Sequence, residues 1–426
     1  MPRPARTRSP RPTPATIPDR GLEPEASLPT VSIRAAGTHP FVFRKMIIGP
    51  KGASLPNPGD LVRVVDRDGQ ALGFGLWNPR SQISLRMLWR EAQPPGREFW
   101  NQQISRAVEL RVGTLRLDQE TDAYRVIHAE GDGLTGLVVD RFDDVLSVEV
   151  FSLGIYQRIG PLLELCAERL GTKHFRVQVD ERVALQEDFP GRLLASPQLP
   201  PRVTITEHGI RYRIHFDEGH KTGFFCDQRD NRRDLAKFCQ DRTVLDACSY
   251  TGGFGLNALL RGKAREVTCV DLDEKAVALA RENGNANSVR LNVVHADAFG
   301  YLRQMAQNNR TFGVVVLDPP KLIPDRDEVS AGKRKYFDLN VLAMGLVEPG
   351  GLLLTCSCSG LLPPADFQAL LRAAARKAGR SVQLLAMTGA AADHPVALDA
   401  PEGAYLKAAW LRVGDPVPPV VLEREG

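Results

Sequence analysis

The sequence predicts an α/β protein: a doubly wound parallel sheet over the C-terminal half, preceded by a small β barrel and a central α/β module. Three observations predict it. From Val31 to Leu88 apolar and polar residues alternate in short runs, the period of half-buried strands. After Pro200-Pro201 apolar runs of strand length alternate with helical patterns of about 10 to 15 residues, the rhythm of crossover connections. Within that region Thr243-Val244-Leu245-Asp246 runs into a turn carrying Gly252, Gly253 and Gly255, where a backbone without side chains admits a ligand closely.

Residues 1–30 are rich in Pro, Arg, Ser and Thr and cannot bury enough surface to offset their ordering entropy, so a disordered tail is expected. Leu61–Val65 and Ala71–Trp77 flank Asp68-Gly69, a type I′ hairpin signal, and Ile83–Leu88 alternates as a third strand. These make a compact β domain over 31–105. A helix from Arg97 to Leu115 leads into a module over 106–200. There Gly133–Asp140 and Val145–Val150 read as a hairpin across Asp143-Asp144, followed by a helix Tyr156–Leu170 and a strand Phe175–Val179. It holds no catalytic constellation. Residues 201–426 form the doubly wound domain, with strands near 243–247, 266–270, 290–294, 313–317, 351–356, 382–387 and 405–412. Ligands of such a sheet bind at the C-terminal strand ends.

Composition bounds the function. No apolar run approaches the roughly 20 residues of a membrane-spanning helix, and the arginine-bearing N-terminus lacks the apolar core of a secretory signal. A cytoplasmic location without a membrane partner is the expectation. Seven cysteines, an odd number at irregular spacing without a CxxC pair, argue against a disulfide framework and against zinc. No metal is expected. A net charge of +4 permits a nucleic-acid partner without demanding one.

The glycine turn alone fits several cofactors. Asp271 ends the next strand about 20 residues on, where a carboxylate accepts ribose hydroxyls. Asp246, just before the glycines, suits a cationic sulfonium and ammonium better than a pyrophosphate. Asp297, after the third strand, can meet an adenine amino group, with Phe299 as an apolar wall. Together these favour S-adenosyl-L-methionine. The competing role for Asp271, Asp273 and Asp297 is helix N-capping.

Two apolar runs end in reactive groups: Val314–Leu317 in Asp318-Pro319-Pro320-Lys321, and Leu352–Leu354 in Thr355-Cys356-Ser357-Cys358-Ser359-Gly360. The prolines bar a helix and hold the carboxylate at the strand end. If the strands are neighbours, a thiolate and a carboxylate flank one planar substrate. A thiolate adding at carbon 6 of cytosine makes carbon 5 nucleophilic toward a methyl sulfonium, and Asp318 can hydrogen-bond the ring nitrogen and exocyclic amine. Nearby positive charge favours thiolate, with Lys321 as one source. Spacing does not settle Cys356 against Cys358; Cys358 lies further past the strand end. Cys226, Cys239, Cys248 and Cys269 read as small buried hydrophobes.

These motifs, with Gly219-His220-Lys221-Thr222-Gly223-Phe224-Phe225, Asp227-Gln228-Arg229 and Ser249-Tyr250-Thr251-Gly252-Gly253-Phe254, resemble the bacterial 23S rRNA cytosine-carbon-5 methyltransferases of the large-subunit methyltransferase I type. His39-Pro40-Phe41-Val42-Phe43 and Asp393-His394-Pro395 match that family's first domain and late loop. The resemblance implies a PUA-like RNA-binding barrel, a central α/β module and a Rossmann-like class I methyltransferase domain acting on 23S rRNA. It implies Cys358 as nucleophile with Asp318 beside the base. Asp246, Asp271 and Asp297 would line the cofactor, with Ser249, Tyr250, Thr251 and Gly252 as its loop. Lys221, Thr222, Gln228 and Arg229 would close over it, and Pro319, Pro320 and Lys321 would meet the base. The chain departs in having Cys356 and in Leu322, where an aromatic is commoner. It also lacks the second cysteine that related enzymes place at the Asp-Pro-Pro corner, so another residue or water takes the carbon-5 proton. Two other readings keep the fold: a guanine-nitrogen methyltransferase using Asp318 without a covalent step, or a non-catalytic assembly factor using Arg211, Arg213 and Lys333-Arg334-Lys335. Homodimerisation is left open.

Overall fold

The structure is a computed structural model that describes residues 19–35, 37–52, 54–216 and 223–417. The expected tail over 1–18 lies outside the described residues. The chain divides into two compact units, one of residues 19–109, 127–139 and 144–199, the other of 110–126, 140–143 and 200–417.

In the first unit a six-stranded sheet runs in the order Phe41–Val42, Leu85–Trp89, Ala71–Trp77, Leu61–Val65, Thr30–Ile33, Ile47–Lys51. Its inward alternation buries Val31, Val62, Val64 and Leu85 with Trp77, as the period-2 pattern requires. Residues 19–30 are not tail-like throughout, since Leu22 is buried and Thr30 opens the first strand. The hairpin forms at Asp68-Gly69, but not as type I′, because only Gly69 has positive φ (+88°). Asp66 Oδ1 accepts from the amides of Asp68 and Gln70, so a side chain closes the turn and Asp68 escapes the left-handed region. The helix Arg97–Glu109 ends in a single π turn, Leu110–Thr114. A five-stranded sheet from Ala123–His128 to Leu194–Ala195 and the helix Ile159–Leu170 make the central module.

The second unit holds a hairpin of Arg202–Glu207 and Ile210–His215 and a seven-stranded sheet: β1 (Thr243–Ala247), β2 (Glu266–Asp271), β3 (Asn292–His295), β4 (Phe312–Leu317), β5 (Val347–Ser357), β6 (Arg380–Thr388) and β7 (Lys407–Pro416). Five helices connect them: α1 (Gly253–Leu260), α2 (Glu274–Ala286), α3 (Ala298–Gln307), α4 (Val329–Leu346) and α5 (Pro364–Ala378). The spatial order is β3-β2-β1-β4-β5-β7-β6, with β1 to β5 parallel and β7 inserted antiparallel between β5 and β6. Val314–Leu317 are wholly buried, as in a strand covered on both faces. Strand order reverses between β1 and β4. That is the topological switch point, where such sheets place their ligand.

Candidate active site

Asp246 is the penultimate residue of β1 and is fully buried. Its Oδ2 accepts from the Gly255 amide at 3.0 Å, while Oδ1 has no hydrogen-bond partner. Burial pushes this carboxyl up to about 7 against the Gly255 bond, with Asp318 and Asp271 adding repulsion. A buried carboxylate oxygen without a donor calls for a cation. Only glycine fits at 255, since a Cβ there would overlap Cys269 Sγ and lie 3.1 Å from Val267.

The turn after β1 is wound tightly. Cys248 (φ +61°), Tyr250 (φ +47°) and Gly252 (φ +78°) all take left-handed conformations, uncommon for the first two. Asp271 at the end of β2 ties the turn at Tyr250. Its Oδ2 accepts from the Tyr250 amide at 2.7 Å and its Oδ1 from the Asp273 amide at 2.9 Å. Each oxygen keeps a lone pair for another donor. The resulting pocket is lined by Phe224, Phe225, Ser249, Tyr250, Thr251, Gly253 and Phe254 together with Gln228, Arg232, Cys248 and Asp318. Apolar rings, a glycine turn and an orphaned carboxylate oxygen fit an adenosyl group bearing cationic sulfonium and ammonium centres.

Several expected cofactor contacts lie elsewhere. Asp297 is exposed and caps α3 through Gly300 N–H at 2.8 Å, and Asp273 caps α2. Asp297, like Asp246 and Asp271, is not itself among the residues lining the pocket. Arg229 is buried and forks onto Asp393, Nη1 to Oδ2 and Nη2 to Oδ1, each at 2.9 Å. A buried guanidinium must be paired, and Asp393 claims it. The Arg125 amide and His394 Nδ1 also bond the Asp393 carboxylate, and Arg111 bonds its carbonyl. Gln228 turns its amide nitrogen to Asp318 Oδ2 at 3.0 Å. Lys221 and Thr222 lie outside the described residues. Of the proposed RNA-binding charges, Arg213 pairs with Glu282 and Lys333 with Asp366.

Across β4 and β5 the register pairs Leu317 with Thr355. Asp318 and Cys356, the next residues, therefore stand at neighbouring strand ends. Burial pushes Asp318 up to about 7, Asp227 adds repulsion, and the bond from Gln228 and attraction to Arg232 oppose both. Cys356 is fully buried and burial raises it well above an ordinary thiol, so it stays protonated. Cys358, just past the end of β5, is half-buried. Pro319 is buried, whereas Pro320 and Lys321 are exposed.

The cation beside Cys358 is Lys407, the first residue of β7, rather than Lys321. Lys407 is buried and donates to the carbonyls of Ser359 and Tyr405 at 2.7 Å each. Burial lowers it to about 8, opposed by attraction to Cys358. A lysine opening the apolar run Ala408-Ala409-Trp410-Leu411 was the signal available in the sequence. Cys248, read as a plain buried hydrophobe, instead edges the cofactor pocket.

Fold and site define an S-adenosylmethionine-dependent methyltransferase. Residues 191–412 match the family model of that description, and residues 31–90 match a PUA-like domain. A SAM-dependent methyltransferase from Streptococcus mutans shares the fold, with TM-score 0.74 at 18% identity over 90% of this chain and 99% of that one. Proteins named ribosomal RNA large subunit methyltransferase I are similar along most of the chain. The Erwinia tasmaniensis protein is 36% identical over 88% of this chain and 95% of its own length. The Shewanella denitrificans protein is 38% identical over the same shares. The chain belongs to the ribosomal RNA large subunit methyltransferase I family. Among the described residues no helix is long and apolar enough to cross a membrane, and no cluster of potential metal ligands is found.

Proposed function

We propose that the protein methylates carbon 5 of a cytosine in 23S rRNA through a covalent adduct with Cys358. The observation that carries the reading is the pairing of β4 with β5, which sets the Asp318 corner beside the Cys356–Cys358 segment next to the switch-point pocket. S-adenosylmethionine supplies an electrophilic methyl group when bound, with Asp246, the 249–252 turn and Asp271 as the residues that hold it.

The protein's own groups do the rest. Lys407 favours the thiolate of Cys358, which adds to carbon 6 of the ring as the ring nitrogen takes a proton from Asp318. A carboxyl titrating near 7 is available in its protonated form at neutral pH, as such a donor must be. Carbon 5 then carries the electron pair and takes the methyl group. Loss of the carbon-5 proton to a base lets the sulfur–carbon bond break, and Asp318 recovers its proton. In this reading the PUA-like domain over 31–105 contacts RNA, 106–200 orients it, and 201–426 performs the chemistry in the cytoplasm.

Incubation with methyl-labelled cofactor and large-subunit rRNA, followed by digestion to nucleosides, tests the reading. Label in 5-methylcytidine is expected; label in a methylguanosine would transfer the site to nitrogen chemistry.

A further inference from the structure

Asp318 is the end of a chain of hydrogen bonds that all point one way. Trp410 Nε1 in β7 donates to Thr388 Oγ1 in β6 at 2.8 Å. The Thr388 hydroxyl donates to Asn231 Oδ1 at 2.7 Å. Asn231 Nδ2 donates to Gln228 Oε1 at 2.7 Å, and Gln228 Nε2 donates to Asp318 Oδ2 at 3.0 Å. Trp410, Asn231 and Gln228 are buried and Thr388 and Asp318 half-buried, so most of the line is shielded from water.

The direction follows from which groups can only give or only accept. An indole N–H only donates, so Thr388 oxygen must receive it and its own proton goes onward. Asn231 Nδ2 also lies 3.2 Å from the carbonyl of Gly389, which only accepts, so this contact and the shorter bond from Thr388 to Asn231 Oδ1 together hold the Asn231 amide in one orientation. A turned Gln228 would set nitrogen against the Asn231 nitrogen and oxygen against Asp318. Each link thereby forbids the reverse arrangement of the next.

We propose that Trp410, Thr388 and Asn231 are positioning residues that hold Gln228 as a donor to Asp318 Oδ2 and so confine the proton carried by Asp318 to Oδ1. A carboxyl oxygen that accepts a strong donor is the carbonyl oxygen of the protonated acid, leaving the hydroxyl on the other. The chain thus orients the acid as well as holding it. This rests on the reading of Asp318 as the proton donor to the target ring. It explains why three polar side chains with no contact to the pocket are spent on one line through the interior, where an unfinished network would be costly.

The test follows the Asp318 carboxyl by infrared difference spectroscopy on the full-length protein, using Asp318→Asn to assign its band, alongside the pH dependence of kcat. Gln228→Met removes the donor and is expected to raise the Asp318 titration midpoint by about one unit or more. Thr388→Val is expected to move it the same way and to shift the matching limb of kcat to higher pH, with the cofactor KM within about twofold of wild type. Thr388→Ser keeps the hydroxyl and is expected to restore both. If Thr388→Val does not fold, Asn231→Leu removes the donor to Gln228 Oε1 and carries the same comparison. A wild-type midpoint in a folded Thr388→Val or Asn231→Leu protein would overturn the proposal. The carboxyl titration is read without turnover, so it is scored separately from the nucleoside analysis, whose failure would strike the cytosine reading alone.

Discussion

Removing one partner of the Arg229–Asp393 pair separates a structural role for that arginine from a cofactor-binding one. Both side chains are buried, Arg229 at 1% and Asp393 at 0% exposure, and two parallel bonds of 2.9 Å join them. Arg229→Met takes both bonds of the fork from Asp393, leaving it His394 Nδ1 and the Arg125 amide, and Asp393→Ala leaves the guanidinium only the more distant Asp230. Either is expected to cost about 3–5 kcal/mol, the usual penalty for an orphaned buried charge. At about 2–4 °C per kcal/mol for a domain of this size, the melting temperature should fall by ~6–20 °C. The double variant Arg229→Met/Asp393→Leu leaves no charge unpaired and should lose less than either single one. Burial opposes ionisation of Asp393, but His394 and Arg229 outweigh it and hold the carboxyl far below its usual range. A carboxyl lowered in the folded state stabilises above its unfolded pKa of about 4 and loses that contribution as pH falls toward its folded value. Wild type should therefore lose stability below about pH 4 more steeply than Asp393→Ala. Thermal unfolding and calorimetric cofactor titration at 20 °C below each transition decide the matter. An unchanged melting temperature in Arg229→Met, with cofactor binding weakened about tenfold or more, would refute the structural assignment.

Cys358→Ser should abolish methyl transfer in the labelled-cofactor assay while calorimetric cofactor binding stays intact. Gly255→Ala forces a methyl group against Cys269 and Val267 and threatens the bond to Asp246. A loss of about 1–3 kcal/mol is expected from overpacking, visible as a lower melting temperature and weaker cofactor binding. Lys407→Met removes the cation beside Cys358, so the pH at which iodoacetamide alkylates that cysteine should move upward; an unmoved profile would take Lys407 out of the thiol's environment. With burial pushing Asp318 up to about 7, its proposed role as the acid predicts that kcat declines as pH rises through that value, and a rate rising through the same region would reverse that role.

The doubly wound domain was legible because a parallel sheet covered on both faces writes itself as apolar runs such as Val314–Leu317, separated by helical spacings. The seven strands stand where the periodicity put them, with ends displaced by a few residues. The placement of candidate residues was legible where they sit on consecutive positions at a strand end, as at Asp318 and Cys358. It was illegible where function depends on partners remote in sequence. Arg229 and Asp393 lie 164 positions apart, and no local pattern could say that one would neutralise the other. Lys407 displaced Lys321 for the same reason, since only the insertion of β7 beside β5 brings its ammonium to the thiol segment. Asp297 carried an ambiguous signal, because N-capping and ligand binding both favour a carboxylate at a strand-to-helix turn, and the structure shows it capping α3. The hairpin at Asp68-Gly69 was placed correctly but given the wrong turn, since Asp66 closed it from outside the dipeptide.

Incubating the protein with cofactor and large-subunit rRNA that carries 5-fluorocytidine offers the most direct measurement, because fluorine at carbon 5 cannot leave as a proton does and the adduct is caught. A protein–RNA species that survives denaturation, maps to Cys358 by mass spectrometry and vanishes in Cys358→Ser is the predicted result. No stable adduct, or one attached to Cys356, would contradict the assignment of Cys358 as the nucleophile.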